Sequence, residues 1–463
     1  MLDLESATRE WLDKDDRYLW HSMASYGAGK EPLVITGAEG SWVTDARGNR
    51  YLDAMSGLWC VNVGYGREEL AKAAYEQMKS LAYYPLTQSH VPAIKLAEKL
   101  CEWLEGDYVI FFSNSGSEAN EAAFKIARQY QEQIGERNRY KFVSRYRAYH
   151  GSSMGALAAT GQAQRKYKYE PLASGFLHVR PPDGYRKPDG QSEEDFNLAC
   201  AQAIEDVIVW EGVETVAGVI MEPAITGGGV IVPHPSYMKR VEDICRKHGV
   251  LLIIDEVICG FGRSGRKFGH HNFGVKPDIV TMAKGLTSGY LPLSATAVRK
   301  DIYEKFRDQQ SYSHFRHVNT FGGNPAACAV ALANLEVMEK EQLVDRSRLL
   351  GERLADEMAE WVSHPYIGDI RSFGFLMGIE LVSDKATKDP APLALVNRII
   401  SSCKAQGLII GKNGDTVAGF NNVLTLSPPL ASTDEDVAFL VRTLKSVLQD
   451  VVADARLGDS ASV

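Results

Sequence analysis

The sequence predicts an α/β fold built on a mainly parallel sheet, with a smaller α+β domain toward the C-terminus. Three observations carry that expectation. Short runs rich in strand-forming residues alternate with longer amphipathic stretches, the pattern of βαβ units. The longest apolar run, 250–254, is strand-sized and uninterrupted, as a strand covered on both faces is. After Pro325 the rhythm changes to long helical runs followed by short strands.

In chain order, residues 41–45 and 49–53 read as a meander around a turn at 46–48. Residues 108–112 (YVIFF) read as a buried strand, followed by the turn SNSGS. The stretch 118–134 then reads as a helix, because Ala119, Ala122, Ala123, Ile126 and Ala127 recur at helical spacing. Further strands are expected at 141–145, 216–221, 250–255 and 279–282, with a helix at 235–248. Beyond them come helices at 326–340 and 345–362, a strand at 373–381, a helix at 393–406, strands at 408–410 and 422–426, and a last helix at 434–452. The tail beyond Asp454 is expected to fray. The division that follows is an N-terminal segment 1–65 packing with the small domain, a large domain 66–325 and a small domain 326–463.

Composition narrows the function classes. The 463 residues are 45% hydrophobic and 24% charged, ordinary for a soluble globular chain. A net charge of −8 argues against nucleic acid, whose phosphates call for concentrated Lys and Arg. Seven cysteines without CxxC spacing predict reduced thiols in the cytoplasm rather than a disulfide framework or a zinc site. The acidic start MLDLESATREWLDKDD does not read as a secretion leader, and no run approaches a membrane span.

Five places carry candidate chemistry. Asp255 closes the apolar run LLIID, and a carboxylate at the C-terminal end of a parallel strand faces the crevice where such sheets bind ligands. There it suits a protonated pyridine nitrogen; it equally suits a helix cap or an ion pair with a lysine. Lys284, in MAKG, leaves a buried strand beside small residues. Such a lysine loses hydration and basicity, and its neutral amine is the nucleophile that forms an imine, whereas most lysines are solvated surface charges. Ser115-Gly116-Ser117-Glu118 joins strand to helix and suits a phosphate, although helix capping explains it as well. Tyr149-His150-Gly151 offers a flat ring for stacking, or for core packing. Leu58-Trp59-Cys60 suits a pocket lining or a domain interface.

Taken in order, SGLWCVNVGYG (56–66), NSGSEAN (114–120), YHG (149–151), MEP (221–223), IIDEV (253–257), AKG (283–285) and NTFGGNP (319–325) resemble the class III, or omega, pyridoxal-phosphate-dependent aminotransferases. The resemblance spans nearly the whole chain. It implies fold type I, with a seven-stranded, mainly parallel sheet between helices, and pyridoxal 5'-phosphate as cofactor. It implies that Lys284 is the Schiff-base lysine and proton shuttle, and that Asp255 pairs with the pyridinium nitrogen. Gly116 and Ser117 are expected at the phosphate, Tyr149 and Val257 on opposite ring faces, and His150 and Glu222 beside the cofactor. Thr320 is expected to reach the phosphate of a neighbouring subunit, so the implied unit is a homodimer, with pairing into tetramers left open. Trp59 and Tyr149 are expected to line the substrate pocket.

One departure concerns the substrate. Many omega-aminotransferases carry an arginine, just after the strand aligned with 407–410, that grips a carboxylate. Here GLIIGKNGDTVAGFNN places Gly411 at that position, with Lys412 next. Lys412 could supply the charge without the two-point grip of arginine, or stand in water as a loop lysine. This loop and the LWC segment are similar to taurine–pyruvate and related omega-amino-acid–pyruvate aminotransferases. The expected activity is therefore transfer of an amino group from an omega-amine or omega-amino acid to pyruvate. The alternatives within the class are diaminopelargonate synthase or an aminomutase. A nucleotide-binding dehydrogenase would need GxGxxG between an early strand and a helix; Gly260–Gly265 has the letters but follows IIDEVIC with no clear helix opening.

Overall fold

The computed structural model describes residues 2–23, 31–414, 417 and 419–460. A seven-stranded sheet forms its centre, in the order Tyr108–Ser113, Ser294–Arg299, Ile279–Met282, Leu251–Asp255, Val216–Met221, Lys141–Arg145 and Phe176–Val179. All neighbours pair parallel except at Ser294–Arg299, which is antiparallel to both strands beside it. The C-terminal ends of the other strands therefore share one edge.

Alternation along each strand divides the apolar residues between two layers. Leu252, Ile254, Val219 and Met221 pack with Ile204 and Ile208 of the helix Glu193–Trp210 and with Met238 and Val241 of Pro235–His248. Leu251, Ile253 and Ile220 instead meet Ala123, Phe124, Ile126 and Ala127 of the helix Gly116–Gln133. Helices on both faces are what a largely parallel sheet needs to hide its strands.

The helix Pro325–Lys340 opens on a cap: Asn324 Oδ1 accepts from the amides of Ala326 (3.0 Å) and Ala327 (3.2 Å), and proline stands at the first position. Farther on, Ile367–Ser372, Met377–Asp384, Val423–Leu426 and Gly411–Lys412 form an antiparallel sheet. The N-terminal meander is Ile35–Glu39, Trp42–Asp45 and Arg50–Asp53. Leu408–Ile409 adds to its last strand in parallel register, Leu408 opposite Leu52.

Several expectations are corrected. The run 373–381 is no single strand: Met377–Asp384 pairs back on Ile367–Ser372, and residues 373–376 make the turn. The aromatics there are buried by the turn's approach to the Arg263 segment, where the Phe375 amide donates to the Arg263 carbonyl at 3.0 Å. The helix expected at 345–362 is Leu343–Met358 followed by a tighter 3-10 turn, Ala359–Ser363. The last helix runs past the expected fray point to Ser460. The strands Phe176–Val179 and Ser294–Arg299 and the helix Leu2–Tyr18 were not expected from the sequence. Among the described residues no helix is long and apolar enough to cross a membrane, and no cluster of metal-ligating side chains occurs.

Candidate active site

The shared strand edge gathers the candidate residues. Asp255 ends its strand, Glu222 follows Val216–Met221, and Lys284 comes two residues after Ile279–Met282. They line one cavity of about 390 Å³ together with Trp59, Gly116, Ser117, Tyr149, His150 and Val257. Ser22, Met23, Arg165, Gly227 and Gly414 complete part of its wall.

Asp255 is buried and its hydrogen-bonding is nearly complete. Its Oδ2 accepts from Asn120 Nδ2 at 2.9 Å and pairs with His150 Nδ1 at 2.9 Å, and its Oδ1 accepts from the Val257 amide at 3.0 Å. A carboxylate offers about four lone-pair positions, so Oδ1 keeps room for one more donor. Asn120 is fixed in turn: its Nδ2 also donates to the His150 carbonyl (2.6 Å), and its Oδ1 accepts from Thr281 Oγ1 (2.7 Å). Register explains Thr281, which lies opposite Asp255 across the sheet.

Lys284 stands at φ +47°, a left-handed conformation that a side-chain-bearing residue adopts at a cost. Its Nζ lies 5.5 Å from the centre of the Trp59 ring, and among the described residues it makes no ion pair. Burial pushes its pKa below the ordinary lysine value, partly opposed by Cys60, Asp255 and Glu222. Trp59 comes from a strained turn: Ser56, Gly57 and Trp59 have φ of +49°, +65° and +56°. Asp53 holds that turn, accepting from the amides of Met55 (3.0 Å) and Gly57 (2.6 Å).

The phosphate candidate is the start of the helix Gly116–Gln133. Ser115 Oγ accepts from the Glu118 amide, and Glu118 reaches back to the Asn114 amide at 2.7 Å. The amides of Gly116 and Ser117 are left as orphan donors at the positive end of an 18-residue helix. Gly116 is tightly placed, since a β-carbon there would lie 3.0 Å from both Val257 methyls. Ser117 Oγ accepts from the Ser152 amide at 3.0 Å, and Tyr149 Oη is 2.8 Å from Ser152 Oγ. Burial raises the pKa of Glu222, whose Oε1 accepts from the Tyr149 amide and whose Oε2 accepts from Thr226 Oγ1 at 2.8 Å.

Two sequence candidates lie elsewhere. Lys412 pairs with Leu424 in a short strand and is not among the described residues that line this cavity. Thr320 is exposed and also outside the cavity; its carbonyl accepts from Tyr83 Oη at 2.9 Å. Asn120, Thr281 and Arg165 were overlooked. Asn120 had a signal, being a polar residue on the apolar face of its helix. Thr281 and Arg165 had none, because only tertiary packing brings them to the site.

These residues suit a flat, anionic, nitrogenous ring ligand. The helix start suits its phosphate, Asp255 a ring N–H, Tyr149 and Val257 its faces, and the unpaired Lys284 an aldehyde carbon. Comparison with known proteins agrees. The family model Aminotransferase class-III matches residues 24–448. An uncharacterized aminotransferase of Bacillus subtilis, YhxA, is 64% identical over 95% of this chain and 96% of its own. The taurine–pyruvate aminotransferase of Bilophila wadsworthia is 41% identical over 93% of this chain and 95% of its own. The crystal structure of the omega transaminase from Pseudomonas jessenii in complex with PMP is 35% identical, with a TM-score of 0.91 over 96% of this chain and 98% of that one.

Proposed function

The chain belongs to the class-III aminotransferases, and on that premise we propose that it moves an amino group from an omega-amine or omega-amino acid of the taurine or β-alanine type to pyruvate, with pyridoxal 5'-phosphate as cofactor. The observation that carries the reading is the convergence of Lys284, Asp255 and the Gly116–Ser117 helix start on one cavity. The finer assignment of donor and acceptor is supported by the taurine–pyruvate relative.

When bound, pyridoxal phosphate supplies a ring that accepts the electrons of a carbanion at the donor carbon. The protein's part is to hold it and to move protons. Orphan amides at the helix start hold the phosphate. Asp255 would pair with the ring nitrogen, its Oδ2 held in place by Asn120 and His150. Tyr149 and Val257 bracket the ring planes, and Glu222 steadies the backbone of Tyr149. Lys284 would hold the aldehyde end of the cofactor, and its amine is placed to accept and to donate the proton that the transfer moves. Its lowered pKa makes the neutral, proton-accepting form more abundant at a given pH. Thr320 is assigned to the cofactor phosphate of a second subunit, in a homodimer.

Taurine, β-alanine, putrescine, 1-phenylethylamine and an α-amino acid, each paired with pyruvate or 2-oxoglutarate, test the reading. Pyruvate is expected to exceed 2-oxoglutarate by about tenfold or more in kcat/KM, with taurine or β-alanine among the accepted donors. Preference for 2-oxoglutarate, or turnover of the α-amino acid alone, overturns it.

A further inference from the structure

We propose that Arg165 is the anion subsite of this enzyme and receives the sulfonate or carboxylate end of the amino donor. The inference rests on the reading above that the donor is an omega-amino acid.

Arg165 follows the buried segment Gly161–Gln162 and lines the same cavity as Lys284 and Asp255. Its guanidinium is held in place. Nε donates to Gln162 Oε1 at 2.6 Å, and buried Gln162 is itself tied to the Arg147 carbonyl at 2.9 Å. The guanidinium carbon lies 4.7 Å from the centre of the Tyr149 ring, and Nη1 is 3.6 Å from Met23 Sδ. A thioether and a ring face leave most of its charge uncompensated. Arg147, Arg186 and Arg371 are satisfied by acids, by Asp183, by Glu380, and by Asp369 and Glu380 respectively, while the fully buried Arg145 and Arg263 donate to backbone carbonyls and do not line the cavity. Among the described residues Arg165 has no carboxylate within ion-pair distance. A fixed, half-buried guanidinium facing a ligand cavity without an acid is a receptor for an anion.

The loop after Leu408–Ile409 supports the same assignment. A β-carbon at Gly411 would lie 2.6 Å from Met55 Cε and 2.8 Å from Thr425 Oγ1, so no side chain fits there without displacing both. Three residues on, Gly414 leaves the space into which Arg165 extends; a β-carbon there would be 3.0 Å from Nη2. The loop thus closes off one source of positive charge and makes room for another.

The test compares wild type, Arg165→Gln and Arg165→Lys as holoenzymes. The donor half-reaction is followed by loss of the cofactor's absorbance, with no acceptor present, using taurine, β-alanine and uncharged propylamine. The ratio of kcat/KM for anionic over neutral donors should fall at least about tenfold in Arg165→Gln, through KM, as loss of a charge-assisted contact implies. Arg165→Lys should recover part of it. Ethanesulfonate and propionate, which lack an amine, are titrated as inhibitors, and their binding should weaken by a similar factor. Anions that bind wild type and Arg165→Gln equally, or bind neither, overturn the proposal whatever the donors. If the anions bind through Arg165 but wild type turns over no omega-amino acid, the donor reading fails and the subsite stands. Should Arg165→Gln not fold, Arg165→Lys decides: an unchanged donor ratio and unchanged anion binding overturn the proposal.

Discussion

Asn120 shows how much of the chemistry rests on a side chain that touches no reacting atom. Its amide spans three partners: it donates to Asp255 and to the His150 carbonyl and accepts from Thr281. Asn120→Ala removes one donor from the carboxylate and leaves the Thr281 hydroxyl without its acceptor. A stability loss of about 1–3 kcal/mol is expected from the unpaired groups. A purely structural role would stop there. A positioning role also lowers kcat, because Asp255 loses the donor that fixes its Oδ2. Asn120→Asp should lower it further, by setting a second negative charge beside Asp255. A kcat equal to wild type in both variants would remove Asn120 from the catalytic account. At this scale Asp255, Lys284 and Gly116 were legible, since a strand-ending acid, a strand-ending lysine and a glycine turn are local patterns. Arg165 was not. In QAQRKYKYE it is one basic residue among several, and what distinguishes it is the approach of Met23 and Gly414 from distant parts of the chain. Lys412 shows the reverse: next to the expected position in sequence, it stands outside the lining of this cavity.

Elements were legible where burial was strong and uniform. The strand Leu251–Asp255 and the helix Pro235–His248 declare themselves by an apolar run and by helical periodicity. Ser294–Arg299 was missed because SATAVR is mostly small and weakly strand-forming; it is a strand because its neighbours on both sides pair with it. Charge contributes at this scale too. Glu205, on the helix Glu193–Trp210, gathers Arg240, Lys247 and His248 from the helix Pro235–His248. The hydrogen bonds from Lys247 and His248 hold its pKa down at about 2, against an ordinary 4.5. A carboxylate depressed in the folded state stabilises it above the unfolded pKa and ceases to do so as pH falls through the folded one. Glu205→Gln should therefore lower stability near pH 7, by about 1 kcal/mol given that Lys247 and Arg240 are well exposed. The gap to wild type should narrow as pH falls from 4.5 toward 2. Urea midpoints of both proteins across that window check this, and a gap that is constant with pH would mean the helices are held by their apolar contacts alone.

Segments from the N-terminal and C-terminal parts of the chain meet beside the candidate active site. Arg50–Asp53 receives Leu408–Ile409 as a fourth strand, and the Ser427 amide donates to the Ala54 carbonyl at 2.7 Å. The turn that presents Trp59 to Lys284 is therefore clamped by segments some 350 residues apart in sequence. Arg263 fastens the clamp. Fully buried, it donates to the Pro428 carbonyl (2.5 Å), to Asn62 Oδ1 (2.8 Å) and to Ser56 Oγ (3.3 Å). Two effects compete when it is replaced by methionine. A guanidinium buried without an acid in contact is costly, and burial lowers its pKa, so its removal relieves a penalty. Its removal also strands the Asn62 and Pro428 oxygens in a site closed to water, at about 1–3 kcal/mol each. With two acceptors stranded and the attraction to nearby Asp53 lost as well, the second effect wins. Arg263→Met should lower the urea midpoint by an amount equivalent to about 2–4 kcal/mol. The loss has a functional signature, because Ser56 and Gly57 hold left-handed backbone only while the turn is clamped. Once released, Trp59 is no longer fixed over Lys284. KM for the donor should rise while cofactor binding, which is assigned to the helix start and Asp255 rather than to this turn, changes little. A variant as stable as wild type, or one that loses cofactor and donor affinity together, would show that Arg263 does not act through this turn.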